Sequence, residues 1–424
     1  MNSKMVITLK KRTQPGWLVW LLVMMPFSLG TLNDLLGVPW AIRYLMDAAW
    51  FFSLLFLLRL SPSRRTKGTQ CLAMWAGGFL GYTLLVYLVQ FQSPFYYFWG
   101  VRNNFRFYAA FFAFLAFLTP DDVEGFLKIF DYLFWVNVVV SLVQYFGMGL
   151  EGDFLGGIFG TEIGGNSYTN VFFIIVVARS LLLYLEKRET AGNCVSKCAA
   201  ALFVAVLAEL KFFFVEFILI IVLAVLFTNF TWRKLWVILC GSVAVVIGAA
   251  LLTALFPNYA GWLSVEWFLE AATSDRGYTS SGDLNRLNAI SSINELWLTD
   301  WGERLFGLGL GNCDTSAFSL VNTPFYANNA DMHYTWLSYA FMYMETGYLG
   351  LIFYFGFFVL VHFAIRKIQK HSEGLERRYC CLGRIVAICC LVLAVYNSSL
   401  RTEAGYMAYF VLAIPFVYRN RWTE

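Results

Sequence analysis

Apolar residues along this chain come in long unbroken runs, separated by short polar or basic punctuation, without the strict alternation of half-buried strands. A helix needs about 20 mostly apolar residues to cross the hydrocarbon core of a bilayer. On that ruler the pattern predicts spans at 17–36, 40–58, 71–91, 105–118, 126–149, 167–185, 198–210, 212–229, 235–256, 333–363, 381–398 and 404–418. The expected fold is all-α, a polytopic membrane protein of about twelve transmembrane helices, because hydrocarbon leaves no partner for backbone groups that a helix does not satisfy itself. The seventh and eighth runs form one stretch, with Glu209 and Lys211 at the tip of a tight hairpin. Residues 1–256 then hold helices one to nine, 257–332 one large extracytoplasmic loop, and 333–424 helices ten to twelve. Lys10, Lys11 and Arg12 precede the first run as in a signal peptide, but no small-residue cleavage pattern follows, so that run is read as a retained helix.

Composition changes the picture in one respect: it excludes an ordinary soluble protein. Of 424 residues, 59% are apolar, 19% aromatic and only 14% charged, where soluble domains carry about 25% charge. The formal charge of +4 implies no nucleic-acid partner; membrane lipids are the expected surroundings. Placement of the basic residues matters more. Most of the 31 Lys and Arg fall on the side of the N-terminus, among them Arg59, Arg64, Arg65, Arg233, Lys234, Arg366, Lys367 and Lys370. Both termini are therefore expected in the cytoplasm, in a multi-pass protein of a plasma membrane. The nine cysteines show no zinc spacing, Cys194 and Cys198 included, so no metal and no cofactor is expected.

Candidate chemistry gathers in the 257–332 loop, where acidic residues outnumber basic ones. Trp262, Val265, Phe268 and Leu269 have the spacing of an interfacial helix over 260–270. Ser281 and Asp283 are candidate caps for a helix carrying Leu284, Leu287, Ile290, Ile293 and Leu296 on one stripe, with Arg286 on its flank. Arg286 is either a solvated surface residue or a clamp for a phosphate, to which its planar fork is suited. Lys211 either pairs with Glu209 or meets an anion. Arg102 and Arg106, at the outer start of the fourth span, share a helix face and could meet an anion or lipid headgroups. Arg401, near Glu403 in a short outer turn, is a further substrate-binding candidate, while Arg43 and Asp47 can satisfy each other. His333 is the lone histidine on the outer side, where it could act as a base or bond to a neighbour such as Asp331. The glycines of Gly307-Leu308-Gly309-Leu310-Gly311-Asn312 read as a turn or a close backbone approach, not a nucleotide fingerprint, which needs a preceding strand. A second glycine-rich run, 156–166, could line the same cavity.

Leu284-Asn285-Arg286-Leu287-Asn288, the 305–312 run, His333 and Glu345-Thr346-Gly347-Tyr348-Leu349-Gly350-Leu351 together resemble the signature of the O-antigen ligase and Wzy-type polysaccharide polymerase superfamily. The layout, with one large outer loop late in the chain, is similar too. The resemblance implies inverting, metal-independent transfer of a glycan from a polyprenyl-pyrophosphate-linked oligosaccharide at the outer face of a bacterial plasma membrane, building capsule or surface polysaccharide. It implies Arg286 and His333 as catalytic residues, Lys211 as a substrate-binding residue where an arginine is common, and a chain-length regulator protein as a partner. The family's histidine usually sits about one helical turn nearer Glu345, where this chain has Trp336. Two other readings stay open: ligase-type transfer to a different acceptor, and a transporter or flippase of lipid-linked glycan, against which no paired halves are found.

Overall fold

The computed structural model describes residues 16–59, 67–257, 282–316 and 318–419. Among these the protein is all-helical. The principal helices are α1 (Gly16–Leu36), α2 (Tyr44–Arg59), α3 (Lys67–Gln90), α4 (Pro94–Phe117), α5 (Pro120–Leu142), α6 (Gly165–Leu185), α7 (Ala191–Leu207), α8 (Lys211–Phe227) and α9 (Arg233–Leu255). Three short helices follow, α10 (Ala289–Leu296), α11 (Trp301–Phe306) and α12 (Pro324–Asn329), and then α13 (Ser338–Gln369), α14 (Gly374–Tyr396) and α15 (Ala404–Arg419). Among the described residues eight helices are long and apolar enough to cross a membrane, and α7 and α15 are shorter apolar ones. Their outward faces are apolar as well: Leu226 and Val246 are 67% and 69% exposed. Surface of this kind points to hydrocarbon as the surrounding solvent.

The core is built largely from aromatic rings. Phe27, Phe130 and Phe172 meet with centroids 4.9–5.7 Å apart, in tilted and edge-on arrangements that suit ring quadrupoles. The Thr31 hydroxyl donates to the Ile158 carbonyl at 2.9 Å, which ties the 157–159 turn to α1.

Most helix ends fall within a few residues of the predicted runs, but α5, α7 and α14 begin six or seven residues earlier and α13 lies five to six residues later at both ends than the run at 333–363. Two further corrections concern the candidate residues. α4 begins at Pro94 behind a Ser93 cap position, eleven residues before the expected start at 105. Arg102 and Arg106 therefore sit two to three turns inside a helix and not at its outer end. Their charges made this stretch look like a loop; partners elsewhere in the bundle satisfy them. The helix expected from Leu284 begins only at Ala289, with Asn288 at its N-cap. The supposed stripe does not share one environment: Leu284 and Ile293 are buried, whereas Leu287 and Leu296 are exposed. Arg286 thus lies in a turn before the helix. The interfacial helix expected at 260–270 and the Ser281 cap fall outside the described residues.

α13 is broken at Gly347, whose φ of 61° and ψ of −167° are not helical. The break frees carbonyls that would otherwise accept within the helix, and a buried carbonyl needs a partner. Leu308 N–H donates to Met344 O at 2.7 Å and Gly309 N–H to Glu345 O at 2.9 Å. The chains cross so closely that a Cβ on Gly307 would stand 2.5 Å from the Glu345 carbonyl carbon. Close approach, which only glycine allows here, is the role of the Gly307–Asn312 run.

Candidate functional site

Two loop segments far apart in sequence are brought together at the end of the bundle where α13 begins. Leu284 N–H donates to Met332 O at 3.2 Å, setting Asp283 beside His333. The Asp283 carboxylate accepts from His333 Nδ1. Because a carboxylate only accepts, Nδ1 carries the proton and Nε2 is left as the nitrogen able to take one. The imidazole also stacks on Trp336, centroids 3.9 Å apart and planes at 20°. His333 itself has φ 50°, a left-handed conformation that costs energy in a residue with a Cβ and is held by its surroundings. Asp331, the partner considered from sequence, is not the one the fold supplies.

Arg286 shares this place. A pocket of about 30 Å³, room for a water or two, is lined by Asp283, Leu284, Arg286, His333, Trp336 and Leu337. Arg286 Nε donates to the Tyr396 carbonyl at 3.2 Å and the guanidinium lies 4.9 Å from the Tyr396 ring centroid. Its own backbone carbonyl accepts from the Tyr339 hydroxyl. The side chain is exposed, and its terminal nitrogens have no hydrogen bond among the described residues.

The same Tyr396 ring connects this pocket to Lys211. Phe212 stacks on Tyr396 at 3.9 Å with planes 7° apart, so the first turn of α8 sits against Arg286, and the two cations lie within each other's field. Lys211 is 3.9 Å from a Glu209 oxygen, an ion pair longer than a hydrogen bond. The second glycine-rich loop reaches the same turn, since Asn166 Nδ2 donates to the Ala208 carbonyl at 3.2 Å and to Asp153 at 2.9 Å. Arg286, His333 and Lys211, chosen from sequence, are thus gathered at one end of the bundle.

Arg102, Arg106 and Arg401 belong to a second, more buried cluster. Arg102 is bound to Asp47 at 2.6 Å and to Asn103 at 2.5 Å, and Asn103 in turn donates to Asp314 at 2.5 Å. Asp47 therefore pairs with Arg102 rather than with Arg43. Arg106 donates to Glu403 at 3.0 Å and to the Arg401 carbonyl at 2.9 Å, and Tyr168 donates to Glu403 at 2.6 Å. Burial by itself would raise the Glu403 carboxyl, but Arg106, the Tyr168 hydroxyl and Arg43 act oppositely and hold it at about 2. Such a network stabilises only while every charge keeps its partner. Arg401 lies over the Phe341 ring at 3.2 Å, 3.9 Å from Asp314, with Nε buried and unbonded.

Reading the sequence alone missed Asp283 as the histidine's partner and Tyr396 as the platform for Arg286. Asp283 looked like a helix cap, and no local pattern joins it to His333, fifty residues on. Glu345, part of the motif that carries the resemblance, is fully buried at the α13 break, and one of its oxygens accepts from Cys313 N–H at 3.2 Å.

Chemically, the pocket end offers an imidazole oriented by a carboxylate and an arginine fork open to solvent. If His333 takes a proton at Nε2, Asp283→Asn, which can present its amide N–H to Nδ1 and so favour the wrong tautomer, is expected to slow turnover about ten- to a hundredfold with KM little changed. Unchanged turnover across the pH range would remove Asp283 from that role. Among known proteins, no family model and no curated sequence matches this chain.

Proposed function

We propose that this protein is a Wzy-like polysaccharide polymerase, which moves a growing glycan from its polyprenyl-diphosphate carrier onto a lipid-linked repeat unit at the outer face of a bacterial plasma membrane. One observation carries this reading: Arg286, His333 and Lys211, distant in sequence, lie together at the loop end of an apolar helical bundle. Twelve spans with both termini in the cytoplasm would put that end outside, as the distribution of basic residues favours.

In this mechanism the leaving diphosphate needs fixed positive charge rather than a proton donor, and Arg286 with Lys211 supplies it. His333, with Nδ1 held by Asp283, accepts the proton of the attacking sugar hydroxyl at Nε2. The new glycosidic bond forms at the anomeric carbon as the carbon–oxygen bond to the diphosphate breaks, and the electron pair leaves with the diphosphate. Trp336 offers a flat apolar face beside the imidazole, of the kind on which a sugar ring packs.

A transporter of lipid-linked glycan is the second reading, favoured by the break in α13 next to buried Glu345, since discontinuous helices often line substrate sites in transporters. One experiment separates the two. Purified protein incubated in detergent with a synthetic polyprenyl-diphosphate oligosaccharide should yield a ladder of products. A single transfer that requires a separate acceptor would make it a ligase, and no transfer combined with lipid-linked glycan crossing a proteoliposome membrane would make it a transporter.

A further inference from the structure

A cavity of about 460 Å³ lies between α8 and α9, walled by Ile218, Val222, Leu226, Ile238, Gly241 and Val246. Its lining is hydrocarbon except for Ser242, so no polar ligand is suited to it. At Gly241 the two helices pack closely along one wall of the groove, since a Cβ there would come within 2.3 Å of Ile221 Cδ1.

The direction of the groove follows from helix geometry. At 100° per residue Lys211, Val215, Ile218, Val222 and Leu226 fall on one stripe of α8, and the last four are 44–67% exposed. With a rise of 1.5 Å per residue the groove starts about 10 Å below Lys211 and ends about 22 Å below it. An apolar channel open along its side therefore runs directly away from the paired cations Lys211 and Arg286.

We infer that this groove seats the hydrocarbon chain of a phosphate-headed isoprenoid lipid, whose anionic head rests at Arg286 and Lys211. The assignment rests on the function proposed above and adds where the carrier lipid lies. Charge at one end and hydrocarbon along the rest match a molecule with the same division. A net-neutral phospholipid in the groove, such as phosphatidylcholine, would bring no net negative charge to these cations. Arg286, with terminal nitrogens that nothing in the described protein occupies, supplies the recognising fork.

The test is photocrosslinking of the full-length protein in phosphatidylcholine nanodiscs, with benzoylphenylalanine replacing Val222 on α8 or, for comparison, Val139 on α5, which is 59% exposed. The probe is a radiolabelled long-chain polyprenyl diphosphate without sugar. Labelling at 222 should exceed that at 139, and Arg286→Ala should cut it by about tenfold, the size expected for losing a charge-assisted hydrogen bond. Equal labelling at both positions, or labelling indifferent to Arg286→Ala, would overturn the groove assignment and leave it to ordinary bilayer lipid. Ser242→Phe, which fills the groove, should depress transfer from a long-chain donor while sparing a short-chain one. Intact labelling without any glycan transfer would retract the polymerase reading and keep the groove; intact transfer with labelling lost would do the reverse.

Discussion

Arg286→Ala is expected to lower transfer from a polyprenyl-diphosphate donor by about a hundredfold or more, the usual cost of losing a preorganised charge at a developing anion. The side chain is exposed, bonds only to the Tyr396 carbonyl among the described residues and covers the Tyr396 ring, so its removal should leave the fold almost unaffected, within about 0.5 kcal/mol. Arg286→Lys keeps the charge without the two-pronged donor geometry and should recover part of the rate. The measurement is initial rate with purified protein, alongside a melting curve for each variant. Full-length polymer from Arg286→Ala protein would remove this residue from the chemistry, and a lost melting transition would show that its role is structural.

Arg106→Leu should have the opposite profile, a large loss of stability. Arg106 is 3% exposed and Glu403 6%, so taking away the guanidinium leaves a carboxylate buried without its charge partner, which costs about 3–5 kcal/mol. Glu403→Gln in the same chain retains an acceptor for Tyr168 without the charge and should restore much of the melting temperature. The pair also sets an acid limit. The Glu403 carboxyl, ordinarily 4.5, is held at about 2 in the folded protein, so the unfolded state binds the proton more readily. This stabilisation is complete above about 4.5 and is lost as pH falls toward 2. The melting temperature of the wild type should decline through that window more steeply than that of Glu403→Gln. Parallel declines would mean the pair contributes nothing to acid stability.

Much of the fold was legible because the period and length of apolar runs are local properties. The runs at 167–185 and 404–418 match α6 and α15 to within two residues at each end. The fourth run was misjudged because its charges are satisfied by Asp47 and Glu403, from α2 and from the turn before α15, and a window of one segment cannot see them. The same limit explains Asp283: cap and histidine partner are indistinguishable until Met332 draws its own segment against Leu284.

The sequence by itself determined that the chain is helical, apolar enough for a bilayer, and supplied at a few positions outside or at the edge of the apolar runs with cations and with His333. Tertiary structure alone decided which of those cations stand together. Arg102 and Arg106 are drawn into ion pairs within the bundle, whereas Arg286 remains open beside His333 and Lys211. The physical reason is that a guanidinium's availability depends on whether a carboxylate reaches it, and the carboxylates that do so here come from other helices.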